Sequence, residues 1–581
     1  PEHEHLASVI VNRSHPAAVR SAEQPLPLHQ TIFTDVTRFV RVSQELDVVN
    51  RTTCAEHDVF SFRLNHAALV TLTVRRETPT GPGSPEVLFS DLLLDEGDHS
   101  FTVSPSSATA ADITLLPGNY AFELVGVSQL YSLTETVAGT IVSRFAMRDA
   151  RPVGHAMVKG VALCDGHLVV SREDLAVPGR GVPLSFERTY SSASAAPGHL
   201  GQGWTHNWLA RVVETPCAEL ILVGTEGSGM RFTPDGAGGW KPPRGYHGTL
   251  ILDDGTNVID FYTTGGIRYH FLPVTTLAGD PLGEWYLDFV EDPSLNRTNL
   301  VYEEGGDGLP RVKRVIEPAG RELVFFYEPR IFQYWGGDVL TRVEGPDFLE
   351  VRFDYDTRGN LVDARREGGA RIEGYNYDVV AFRDVLTEVT NDLNGARTTY
   401  EYSNEVLGFT GEVADILLVE RLTEPEGGTT QFFYDTAALA ADADVLTTWV
   451  RDPRELNNTP PSHGNPNRYD TTYTLNHYGS PTTIADPLGH TTVIEWMPND
   501  VVMDWRRDAN NVTTEFTHDE HGNLLTETVT VNDIDNIEHE YVTINTYEPP
   551  TRFEPPYIKN RIATHTDRNG STTTFGYDTA G

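Results

Sequence analysis

Apolar and polar residues alternate through residues 46–150. Phe60, Phe62 and Leu64 sit two apart, as do Val70, Leu72 and Val74. Tyr120, Phe122 and Leu124 follow the turn Pro117-Gly118-Asn119. A period of two broken by Pro and Gly is the pattern of a half-buried antiparallel sheet, so this stretch predicts a small β-sandwich. Residues 1–45 carry no sustained period and read as a leader or linker. Past a boundary at Arg151-Pro152, a β module of short strands is expected over 151–300. It is punctuated by Pro178-Gly179, Asp235-Gly236, Asp254-Gly255 and Gly265-Gly266. No 3.6-residue stripe persists there beyond two turns.

From residue 301 to 581 the pattern becomes a repeat. An acidic residue recurs with Gly three positions on and an aromatic ten positions on: Glu317, Gly320, Tyr327; Asp392, Gly395, Tyr402; Glu424, Gly427, Tyr434; Asp486, Gly489, Trp496; Asp567, Gly570, Tyr577. In a sixth copy Asp508 and His518 flank Asn511 in the Gly slot. A carboxylate accepting from the backbone two residues on, then a residue at φ > 0, is β-turn chemistry, and the Thr and aromatic residues that follow favour a strand. Each copy therefore reads as a turn plus a hairpin arm. A lone hairpin cannot bury its apolar face, whereas neighbours added in series can. The expected architecture is all-β: the sandwich, then a long spiralling antiparallel sheet of hairpins forming a partial shell. The copies lie 22 to 75 residues apart, so hairpin lengths must vary.

Composition agrees. The chain has 581 residues, with 50 Gly, 36 Pro, 23 Tyr and 25 Phe, a mix that favours strands and tight turns. Its formal net charge of −39 argues against nucleic acid as a partner, because phosphate binding needs clustered Lys and Arg. The three cysteines, Cys54, Cys164 and Cys217, make no disulfide framework. No apolar run reaches the length of about 18 residues that a membrane span needs. The chain opens at Pro1 and stops at Gly581 inside a repeat, so both ends read as cut.

The repeat resembles the tyrosine–aspartate repeats of Rhs proteins, which also occur in insecticidal toxin complexes and teneurins. The preceding stretch resembles the N-terminal module of the bacterial members. It carries Asp174-Leu175-Ala176-Val177-Pro178-Gly179, then Pro183-Leu184-Ser185-Phe186-Glu187-Arg188-Thr189-Tyr190, then Gly201-Gln202-Gly203-Trp204-Thr205-His206-Asn207 and Gly265-Gly266-Ile267-Arg268-Tyr269-His270-Phe271. The resemblance covers 152–581. It implies a spiral sheet closing into a hollow shell, secreted or at the cell surface. In bacteria such a shell often encloses a toxic C-terminal domain of the same protein, here lying outside the chain. The family's self-cleaving aspartyl site is not recognisable; Asp486-Pro487-Leu488-Gly489 shares part of its wording but occupies a repeat slot.

Candidate chemistry is sparse. His206 near Ser191 or Ser192 is the one conceivable nucleophile pair, and a place in the wall is the stronger reading of it. No zinc or nucleotide motif occurs, so no catalytic residue and no cofactor is expected. Asp253, Asp254 and Asn257 around Gly255 are the candidate calcium ligands, with a plain Asp-Gly hairpin turn the stronger reading. The leading function is structural: containment and delivery of a C-terminal effector. The alternative is a surface adhesin whose sandwich binds a glycan or protein through exposed aromatics, with the repeats as scaffold.

Overall fold

A computed structural model describes residues 156–577 apart from short interruptions, and in residues 7–140 the backbone of eleven strands. Those eleven strands form two sheets, one of five strands and one of six. The alternating sets fall opposite one another: Phe122 pairs with both Val74 and Val42, and Leu124 with both Leu72 and Val40. In the second sheet Phe62 stands opposite Leu133 and Phe60 opposite Phe101. Four of the strands, Ala7–Val11, Val19–Arg20, Ile32–Thr34 and Val40–Leu46, come from the part expected to be a leader. They belong to the two sheets and correct that expectation. Most are short and all take partners distant in sequence, so no local period announces them. The side chains of this region, and with them its candidate ligand-binding aromatics, lie outside the described residues, as do Cys54, Cys217 and Asp254.

The dominant element is one sheet of 29 strands, from Arg211–Glu214 to Thr572–Thr574, each strand neighbouring the next in sequence. Its strands pair antiparallel. Alternation decides which face is buried. Phe325 stands opposite Val343, Val343 opposite Val351, and Phe353 opposite Ala364, and all five are at most 2% exposed. The expected long sheet of hairpins is therefore present.

Two features bend the sheet back on itself. The first strand, Arg211–Glu214, pairs with Pro281–Glu291 as well as with Leu220–Val223. Near the other end, Lys559 donates its backbone amide to the Thr264 carbonyl (2.9 Å), and its Nζ reaches the His247 carbonyl (3.0 Å) and Thr249 Oγ1 (2.8 Å). The sheet thus returns on itself in a lap, its late segment at Lys559 and its turn at Gly522 meeting the early residues His247, Thr249 and Thr264.

Residues 156–210 form small strands that pack on the buried face of this sheet. Leu163, Leu184, Phe186, Tyr190 and Trp204 share one continuous core with Phe325, Val343, Phe353, Tyr375 and Leu418. Among the described residues no helix is long and apolar enough to cross a membrane.

Candidate functional site

The repeat is built from two linked devices, a capped turn and an aromatic latch. In the turn at Asp486, the Gly489 amide donates to the Asp486 carbonyl (2.9 Å), and the Asp486 amide donates to the His490 carbonyl (2.9 Å). The carboxylate Oδ1 then accepts from the amides of Leu488 (2.8 Å) and His490 (2.9 Å). Asp508 and Asp567 repeat this arrangement on Asn510 and Val512, and on Asn569 and Ser571. The fourth residue has positive φ in each, +87° at Gly489, +62° at Asn511 and +81° at Gly570. This is a type I turn closed by a left-handed residue, the common three-residue hairpin. The two glutamates differ. Glu317 binds the guanidinium of Arg321 (2.9 Å), and Glu424 reaches across to Lys159 Nζ (2.7 Å). At Asp392 the hairpin differs, with Asn391 paired to Ala396 across a four-residue loop and the Asn391 side chain supplying the capping oxygen for Leu393.

In most copies the aromatic ten residues on sits at a β-bulge, although Tyr434 pairs with Thr448 in unbroken register. The register slips at Tyr302, Tyr327, Tyr355, Tyr402 and Trp496 where each meets the next strand. A bulge leaves backbone groups outside the ladder, and the next aromatic along satisfies one. Leu340 pairs with Tyr327 at one bulge, and its carbonyl accepts from the Tyr355 hydroxyl (2.5 Å). Val419 pairs with Tyr402 and accepts from Tyr434 (2.9 Å). Ile562 pairs with Tyr547 and accepts from Tyr577 (2.9 Å), and Trp496 Nε1 reaches the Pro481 carbonyl (2.9 Å). Each aromatic therefore ties its hairpin to the bulge of the one before. Burial pushes the hydroxyls of Tyr302, Tyr355, Tyr402 and Tyr434 well above their ordinary pKa, so they stay protonated donors. Tyr327 and Tyr377 depart from the chain: the Tyr327 hydroxyl is buried without a hydrogen-bond partner, and Tyr377 accepts from Trp204 Nε1 (2.8 Å). Replacing Tyr355 with Phe leaves the Leu340 carbonyl short of a donor. The expected loss is about 1–2 kcal/mol in urea unfolding, and an unchanged midpoint would refute the latch.

The second site is the seam where residues 156–210 meet the sheet. Arg188 is 1% exposed. Its guanidinium holds Asp174 through Nε (2.6 Å) and Nη2 (3.1 Å) and donates to the Tyr375 hydroxyl (2.6 Å). Trp204, Phe353 and Tyr375 surround it at 5.0–5.7 Å. Burial lowers its proton affinity, but Asp174 and Tyr375 more than offset this and hold it above the ordinary arginine value. Further along, the Tyr190 hydroxyl accepts from the Leu386 amide (3.0 Å). The Val419 amide donates to the Gly166 carbonyl (2.9 Å), and Thr448 Oγ1 to that of Leu163 (2.6 Å). Gly201, at φ +86°, lies so close that a Cβ would come 2.5 Å from the Gly359 carbonyl oxygen. A signal for this seam existed in the sequence: Leu184, Phe186, Arg188 and Tyr190 lie two apart on one strand, so the arginine must be buried with its apolar neighbours.

The other candidates resolve simply. His206 is 1% exposed between the rings of Phe186 and Phe325 (5.3 and 5.6 Å), and neither ring nitrogen has a hydrogen-bond partner. Ser192 Oγ accepts instead from the Leu168 amide (2.8 Å), so serine and imidazole make no nucleophile pair. Burial, and secondarily His199, lowers the His206 pKa to about 3. Of the candidate calcium residues, Asp253 and Asn257 lie in a hairpin turn. The Asp253 carboxylate accepts from the Gly255 amide (2.9 Å) and Thr256 Oγ1 (2.8 Å), and the Asn257 carbonyl accepts from Trp285 Nε1 (2.8 Å).

A family model described as a domain of unknown function, DUF6531, matches residues 159–232, which contain Asp174, Arg188 and Trp204 on one side of the seam. The tRNA3(Ser)-specific nuclease WapA of Bacillus spizizenii is 23% identical over 385 residues, 62% of this chain and 14% of its own length. The probable deoxyribonuclease RhsB of Dickeya dadantii is 26% identical over 221 residues, 35% of this chain and 13% of its own length. The chain thus spans a small part of these relatives. The crystal structure of TcdB2-TccC3 aligns over 74% of this chain and 24% of that one at 12% identity, with a TM-score of 0.28.

Proposed function

The chain belongs to the Rhs (tyrosine–aspartate repeat) family, and on that premise we propose that it is a non-enzymatic wall of a secreted or cell-surface β-shell that encloses and delivers an effector domain of the same, longer protein. The observation that carries this reading is the lap: a single sheet of 29 strands returns until Lys559 binds Thr264. A sheet that closes on itself has an inside, and strands latched in series make a wall that resists opening at any one hairpin. The nuclease activities named for WapA and RhsB belong to those whole proteins. In this reading such chemistry resides in the cargo and the wall supplies none. Incubated with tRNA and with plasmid DNA, the purified 581-residue chain is expected to cleave neither. Cleavage that survives repurification would overturn the reading. In the longer protein, the effector domain should resist protease until the shell is opened by denaturant; digestion at the same rate in the native state would remove containment.

A further inference from the structure

The place where the lap closes is rich in imidazole. His247 lies on the early edge, and His518 and His521 lie around the turn Asp519–Asn523 on the late one. The Gly522 backbone packs so tightly on the His247 ring that a Cβ there would stand 2.4 Å from Cδ2. Lys559 joins them, its Nζ on the His247 carbonyl and its own carbonyl accepting from Asn523 Nδ2 (2.6 Å). All four side chains are half-buried. We propose that this cluster is an acid-opened clasp: proton uptake by its histidines beside Lys559 separates the late edge of the sheet from the early one and loosens the lap. The inference concerns the joint itself and holds whether or not a cargo is enclosed.

The groups facing the cluster favour this direction. On the late edge stand Asp519, Glu520 and, near His518, Asp504. Asp519 is already committed to its turn, with Oδ1 accepting from the amides of His521 (2.8 Å) and Asn523 (2.9 Å) and Oδ2 from Asn523 Nδ2 (2.8 Å). Glu520 is exposed and lies 3.6 Å from His521. Among the described residues the Lys559 ammonium bonds to neutral oxygens, those of His247 and Thr249. His518 Nδ1 is buried without a hydrogen-bond partner. Burial first, then Lys559 and His521, lowers the His247 pKa; burial likewise lowers those of His518 and Lys559. A histidine with its pKa depressed in the closed joint and ordinary in the open one is neutral in both above its free value of about 6.5 and opposes closure below it.

The test is amide exchange in the 581-residue chain at pH 7.5 and 5.5, corrected for intrinsic rate, read at the Lys559 amide bound to Thr264. Protection there should fall severalfold between the two pH values, and further than at the amide of Leu386 in the seam. In the His247→Gln/His518→Gln variant the fall should disappear. Equal protection at the two pH values, or an equal fall in the variant, overturns the clasp. Should the variant be unfolded, the contrast between Lys559 and Leu386 in the unaltered chain decides alone.

Discussion

Replacing Arg188 with Met should cost about 3–5 kcal/mol, the usual consequence of removing one member of a buried ion pair. Among the described residues the guanidinium is the one cation bound to Asp174, and it also lies 3.6 Å from Glu373. Asp174 is 6% exposed and Glu373 10%, so a lost arginine leaves charge in the core. Glu373 keeps Arg172 (2.6 Å) and the Tyr375 hydroxyl (2.5 Å); Asp174 is the group left stranded. The double variant Arg188→Met/Asp174→Leu should therefore recover much of the loss, because apolar replacement of both partners is often close to neutral. Urea midpoints of the two variants measure this. A single variant within 1 kcal/mol of the parent would mean that the seam is held by its apolar contacts alone.

Acid should weaken the same seam through His206. Its imidazole has a pKa of about 3 in the fold and about 6.5 when unfolded. Above pH 6.5 it is neutral in both states and has no effect. As pH falls from 6.5 toward 3, the unfolded chain takes up the proton first and stability declines by about 1.4 kcal/mol per pH unit. Many carboxylates titrate over that range too, so the reading is differential. Between pH 7.5 and 5.0 the parent should lose about 2 kcal/mol more than His206→Phe. At neutral pH that variant should be no less stable, since the ring nitrogens it removes have no hydrogen-bond partner. A constant difference across pH would sink the assignment of the low pKa.

Much of the sheet could be read from the chain because its determinants are local. Asp486, Gly489 and Trp496 set a turn and an arm within eleven positions, and period-two patterning selects the buried face. Copies escaped where the left-handed slot holds an unexpected residue. Asp292 and Tyr302 frame Leu295 at φ +63°, and Gly345 and Tyr355 frame Phe348 at φ +63°. Both tyrosines latch as the others do, Tyr302 to the Leu287 carbonyl at 2.6 Å, so the aromatic spacing was a better guide than the glycine. The burial of Arg188 could be read from its strand, but its partners across the seam, and the lap, could not. Arg188 meets Tyr375, and Lys559 meets Thr264, across hundreds of residues, and no local period encodes which turns of a coiling sheet will touch.

The latch at each bulge also bears on how such a chain can change over time. A strand slipped by one residue would turn every later side chain to the wrong face. Here the count restarts at each aromatic, fixed to a carbonyl 15 residues back at Tyr355, Tyr434 and Tyr577. A hairpin as long as Ala396–Phe409 with Glu412–Thr423 can therefore stand beside much shorter ones without passing an error downstream. Insertions and losses at loop tips become locally confined events, and the wall can lengthen by duplication while its phase is kept.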